Sequence, residues 1–176
     1  MSTGPTGSSA DRSGSPADVE HPGLATLLER DLGLTELGDA LDQARQGRGQ
    51  VVLIEAAAGL GKTSLLRAGC QDAEATGFSC LRARATELER DFAYGCIRQL
   101  LEPLVARVSD SERDRLFEGA AALSKPLFAS TDLLQQALSA NSTFAIQHGL
   151  YWLLNNITDE GPVALAVDDV HWSDAE

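Results

Sequence analysis

Residues 51–66 read VVLIEAAAGLGKTSLL: a short apolar run, a loop of small residues, then Gly-Lys-Thr leading into further apolar positions. Val51–Ile54 is β-branched or leucine at every position, the pattern of a strand buried on both faces of a parallel sheet. Lys62 to about Ala75 carries helical spacing, and Gly77 closes it. A strand entering a helix through a loop of small side chains leaves the amides of the first helical turn without partners. The aligned peptide dipoles add about half a positive charge at the same point. Such a place suits an anion.

The loop fits G-x-x-x-x-G-K-[ST], in which backbone amides cradle phosphates, the lysine reaches the outer phosphates and the hydroxyl residue ligates Mg²⁺. Ala56, Ala57, Ala58, Gly59, Leu60, Gly61, Lys62, Thr63 and Ser64 are the candidate phosphate-binding residues. Ala56 stands where the first glycine belongs; alanine is tolerated there if it keeps negative φ and turns its methyl away from the ligand. A second apolar run, VALAVDD (163–169), arrives about a hundred residues later and ends in two acids. A carboxylate at that strand end, Asp168, can support Mg²⁺ together with Thr63, and its neighbour Asp169 can orient or deprotonate an attacking water. Taken alone, the acids would be a solvated strand end, and Gly-Leu-Gly-Lys-Thr a helix entry. The strand, loop, helix and distant acidic strand end together favour the nucleotide reading.

Outward from this pair, FSCLRARA (78–85) alternates as a further strand. Helical periodicity marks Leu24 to about Ala44, Ala93 to Val105 with Pro103 bending or ending it, and 142–157. Residues 109–140 give mixed helical signals around Lys125-Pro126 and carry no nameable chemistry. Residues 1–22 are rich in Ser, Gly, Pro and Thr, the composition of a disordered leader, so that one folded unit is expected over 23–176. Strands alternating with helices predict an α/β fold, a three-layer parallel sheet flanked by helices.

Composition narrows the function. The chain has 176 residues, 43% of them hydrophobic, enough for one domain with a core. Its formal net charge of −12 argues against nucleic-acid binding by this segment, because phosphate backbones are held by clustered Lys and Arg. No stretch reaches the roughly 18 apolar residues of a membrane span, and the N-terminus lacks a secretion signal, so a cytoplasmic location is expected. Asn141-Ser-Thr and Asn156-Ile-Thr match the glycosylation sequon without that consequence. Cys70, Cys80 and Cys96 lack C-x-x-C spacing and read as buried free thiols rather than a disulfide or metal framework. His21, His148 and His171 show no metal spacing, GFSCL lacks the second glycine of a nucleophile elbow, and ELERD (87–91) reads as a solvated turn.

Three stretches, LLERDLGLTELGDALDQARQGRGQVVLIEAAAGLGKTSLLRAG (27–69), RATELERDFAYGCIRQLLEPLV (84–105) and LAVDDVHWSDAE (165–176), together resemble a known module. It is the N-terminal ATPase module of LuxR-type large ATP-binding transcriptional regulators, in the STAND branch of AAA-like P-loop ATPases. DDVHW at its distance from the P-loop is the most specific element, and TELERDFAYG is the family-level tag. Ala56 departs from the pattern, as does Glu29, where relatives usually carry glycine before the arginine, here Arg30, to which the resemblance would give adenine-side contacts. The resemblance implies ATP and Mg²⁺ as cofactors, with Lys62 and Thr63 on phosphate and metal, Asp168 supporting the metal and Asp169 as the water-activating acid. It also implies a further sensor strand between the P-loop strand and the acidic strand, a lid, helical repeats and a DNA-binding helix-turn-helix, none of them in this sequence. The expectation is therefore the front part of a larger or truncated protein, a poor ATPase alone, with self-association possible on ATP binding. Two rivals stand beside it: a P-loop phosphotransferase acting on a small molecule, and a non-catalytic interaction domain with a vestigial loop.

Overall fold

The computed structural model describes residues 31–57, 59–87, 92–129, 134, 136 and 143–173. The expected leader, the helix start at Leu24, Glu29, Arg30, Ala58, most of ELERD and most of TDLLQQAL fall outside them. The elements in chain order are α1 (Asp31–Arg45), α2 (Lys62–Ala75), β1 (Ser79–Arg84), α3 (Gly95–Arg107), α4 (Asp110–Leu116), a 3₁₀ segment (Gly119–Phe128), α5 (Thr143–Thr158), β2 (Val163–Asp168) and a 3₁₀ turn (Val170–Trp172).

β1 and β2 pair in parallel, from Ser79 opposite Val163 to Arg84 opposite Asp168. Because side chains alternate along a strand, each strand splits its residues between two layers. Leu81 and Ala83 of β1, with Val163 and Val167 of β2, join the main core built from α3, α4, the 3₁₀ segment and α5. Arg82 turns the other way and meets Glu74 of α2, as Asp168 meets Thr63 of α2. Helices thus cover both faces of a parallel sheet, the predicted three-layer α/β arrangement. Leu101, Leu127, Ile146 and Leu153 anchor the main core and are almost wholly buried.

Several local features follow from single residues. α4 begins at a capping box, Ser109 accepting from the Glu112 amide while the Glu112 carboxylate accepts from the Ser109 amide. α3 continues through Pro103 to Arg107, further than Val105, since a proline costs the helix one backbone bond but tertiary burial of Leu100, Leu101 and Val105 holds it. The stretch 119–128, without a clear sequence signal, forms a 3₁₀ run whose Ser124 is buried and donates to the Ala121 carbonyl. Gly149 of α5 lets that run approach closely: a Cβ there would lie 2.5 Å from the Ser124 nitrogen and 2.8 Å from the Leu123 carbonyl carbon.

One expectation fails. Val51–Ile54 is not a strand: Val51 is 98% and Leu53 68% exposed, and among the described residues no backbone bond joins this segment to β2. A cavity of about 330 Å³ lies between them instead, lined by 51–54 on one side and Leu165–Val167 on the other. A β-branched run supplies the propensity for a strand, but a ladder needs a neighbour about 4.8 Å away, and none of the described segments provides one.

Candidate functional site

The site begins with the chain entering α2. Gly59 and Gly61 have φ of 81° and 77°, a left-handed conformation that side-chain-bearing residues resist, so the loop turns on these two glycines. Gly61 is the N-cap of α2 and offers no side-chain cap. Among the described residues the amides of Gly59, Gly61, Lys62 and Thr63 find no acceptor, which leaves a cluster of donors at the positive end of a 14-residue helix.

Lys62 bends back over the loop. Its ammonium donates to the carbonyl of Ala56 at 2.6 Å and of Ala57 at 3.3 Å. Ala56, in the first-glycine position, therefore presents its oxygen to the lysine and keeps negative φ, as the substitution requires. Ala57 accepts from the Leu60 amide at 3.3 Å, closing the loop's turn. Ala58 lies outside the described residues, and Ser64 belongs to the first turn of α2, its amide donating to the Gly61 carbonyl at 3.0 Å.

Thr63 and Asp168, 105 positions apart, are brought into direct contact: the Thr63 hydroxyl donates to Asp168 Oδ2 at 2.9 Å. Asp168 is 9% exposed, and the other oxygen of its carboxylate accepts from the Asp169 amide at 3.0 Å. Asp169 follows in a left-handed conformation, φ 54° and ψ 38°, which swings its side chain away from Asp168. Its Oδ2 accepts from Nε and Nη2 of Arg84, both at 3.2 Å.

The sequence pointed to neither Arg84 nor Gln99. Arg84 ends β1 opposite Asp168, and Gln99 of α3 both accepts from the Arg84 amide at 3.0 Å and donates to its carbonyl at 3.2 Å. A charged residue ending the strand beside the acidic one was the available signal; Gln99 left none, because its role depends on where α3 packs.

Two oxygen ligands of one hydroxyl and one carboxylate suit Mg²⁺, a hard cation that keeps several waters and takes one or two protein oxygens plus substrate phosphates. Among the described residues no group of three or more His, Cys, Asp or Glu side chains converges as an all-protein metal cage would require. A cavity of about 780 Å³, lined by Arg115, His148 and Trp152 among others, contains none of these residues. Chemistry rather than volume marks the site. His148 itself is exposed and accepts from the Trp152 indole at 3.2 Å. Tyr94 of the TELERDFAYG stretch is 1% exposed and starts α3 with φ 60°, a core residue. Among the described residues no helix is long and apolar enough to cross a membrane.

A family model described as an AAA ATPase domain matches residues 26–176. None of the curated proteins and none of the solved structures matches the chain.

Proposed function

The chain belongs to the AAA ATPase domain family, and from that premise we propose that it is a Mg²⁺-dependent ATP-binding module. In its full setting it acts as the nucleotide-controlled switch of a LuxR-type transcriptional regulator, with slow hydrolysis. The observation that carries the binding reading is the set of amides at Gly59, Gly61, Lys62 and Thr63 that find no acceptor among the described residues, beside a Thr63–Asp168 oxygen pair. TELERDFAYG and DDVHW support the regulator assignment.

In this reading the loop amides donate to the phosphate oxygens, and Lys62 exchanges its Ala56 and Ala57 carbonyls for them. Thr63 and Asp168 hold Mg²⁺, which when bound would neutralise phosphate charge. Asp169 orients a water or takes its proton, a task for which its carboxylate must leave Arg84 or share with it. The acidic charge of −12 does not prevent an anion from binding, because screening confines fields to roughly 8 Å and the local helix end and ammonium dominate. The same charge leaves DNA contact to another segment of the regulator.

Thermal melting with and without Mg·ATP tests the binding. At a hundred times Kd the gain is about 2.7 kcal/mol. Lys62→Ala, which removes one charge-assisted contact of about 1.5–3 kcal/mol, lowers affinity roughly ten- to a hundredfold. A melting temperature indifferent to nucleotide in the unaltered chain would instead favour a vestigial loop.

A further inference from the structure

Below the nucleotide loop, two of the three thiols face each other across the α2–β1 boundary. Cys70 and Glu74 are four apart on α2 and share one helix face. Cys80 and Arg82 are two apart on β1 and share one strand face. The ion pair of Arg82 Nη2 with Glu74 Oε1 at 2.8 Å brings these two faces together. In the space it spans, Cys70 and Cys80 are neighbours, and the Arg82 guanidinium lies beside both. Cys70 is buried and Cys80 part-exposed; neither they nor the buried Cys96 is in a disulfide.

We propose that Cys70 and Cys80 are a redox modification site, closing reversibly to a disulfide that staples α2, the helix carrying Lys62 and Thr63, to β1. The inference stands apart from the nucleotide reading, since it uses only the thiols and their neighbours.

The two sulfurs have distinct roles. Burial, reinforced by the Cys80 contact, pushes the Cys70 thiol up to about 11, so it keeps its proton near neutral pH. Cys80 is part-exposed, with the Arg82 guanidinium beside it, so a peroxide can reach its sulfur. With a peroxide as oxidant, the Cys80 thiolate attacks one peroxide oxygen. The O–O bond breaks, giving a sulfenic acid and hydroxide. The Cys70 sulfur then attacks the Cys80 sulfur; the S–S bond forms, the S–O bond breaks, and the Cys70 proton leaves with the hydroxide as water. In sum two thiols and one hydrogen peroxide give one disulfide and two waters.

The test is differential alkylation of the unaltered chain, fully reduced and then treated with hydrogen peroxide, followed by digestion and mass spectrometry. The expected product is a Cys70–Cys80 linked peptide pair, reversed by dithiothreitol, with Cys96 alkylated throughout. Cys80→Ser, at the part-exposed position, abolishes the link, whereas Cys96→Ser leaves it intact. The oxidised chain melts roughly 5 °C or more above the reduced one, because the staple restricts the unfolded chain. Both thiols remaining alkylated after peroxide would overturn the proposal. So would Cys80 advancing to a sulfinic acid without a link, or a link that engages Cys96 or a second chain.

Discussion

At the scale of single residues, the site depends on three backbone positions that leave the right-handed region: Gly59, Gly61 and Asp169. The glycines were legible, because a motif with bare backbone demands them. Asp169 was legible as an acid but not as a left-handed residue, since that conformation arises only where β2 ends and the 3₁₀ turn begins. Its conformation separates two functions that one substitution usually mixes. Asn tolerates the left-handed region nearly as well as Asp, while a β-branched residue does not. Asp169→Asn is therefore expected to leave chemical-denaturation stability within about 0.5 kcal/mol and nucleotide affinity largely intact, while removing whatever ATP hydrolysis the domain performs. Asp169→Val should cost about 1–2 kcal/mol by the same denaturation measurement, the penalty for forcing a branched side chain into that backbone. An unaltered hydrolysis rate in Asp169→Asn would remove this acid from the chemistry.

At the scale of elements, helices were the easiest to read because each carries its own signal. α2 begins at Lys62 and α5 spans Thr143–Thr158, close to the periodicity of their apolar residues, and both strands that do form were placed within a residue or two. What could not be read depends on partners far along the chain. Val51–Ile54 has strand residues without a ladder, and the 3₁₀ segment has no pattern of its own but is shaped by α5 pressing on it. That contact gives a sharp expectation for Gly149. The atoms a new Cβ would strike are the Ser124 nitrogen and the Leu123 carbonyl carbon, backbone that cannot swing aside as a side-chain tip can. Gly149→Ala, despite alanine's better helix propensity, should destabilise the fold by about 1–3 kcal/mol, measured by denaturant unfolding. Gly69→Ala serves as the comparison, because its nearest neighbour is the Leu37 Cδ1 methyl at 2.9 Å, which can rotate away.

At the scale of the whole molecule, the apolar mass is one-sided. The main core gathers on the α3 and α5 face, while α1 contains no buried residue and 51–57 makes little backbone contact. Amide hydrogen exchange should reflect that division, with the slowest protons in α3 and α5 and the fastest in α1 and 51–57. Uniform protection across all of them would contradict it. The layered arrangement and the pairing of Thr63 with Asp168 follow from sequence patterns, but the strength of each layer does not, because it depends on which helices share side chains.

The amide of Gln99 gives the sheet a polarity. By occupying both the donor and the acceptor of Arg84, it acts as a one-residue dummy strand along the outer margin of β1. Edge-to-edge growth, the route by which open sheets recruit other chains, is blocked at that point. The opposite margin, along β2, has no such stopper among the described residues, so an added strand would meet no like obstacle on that side.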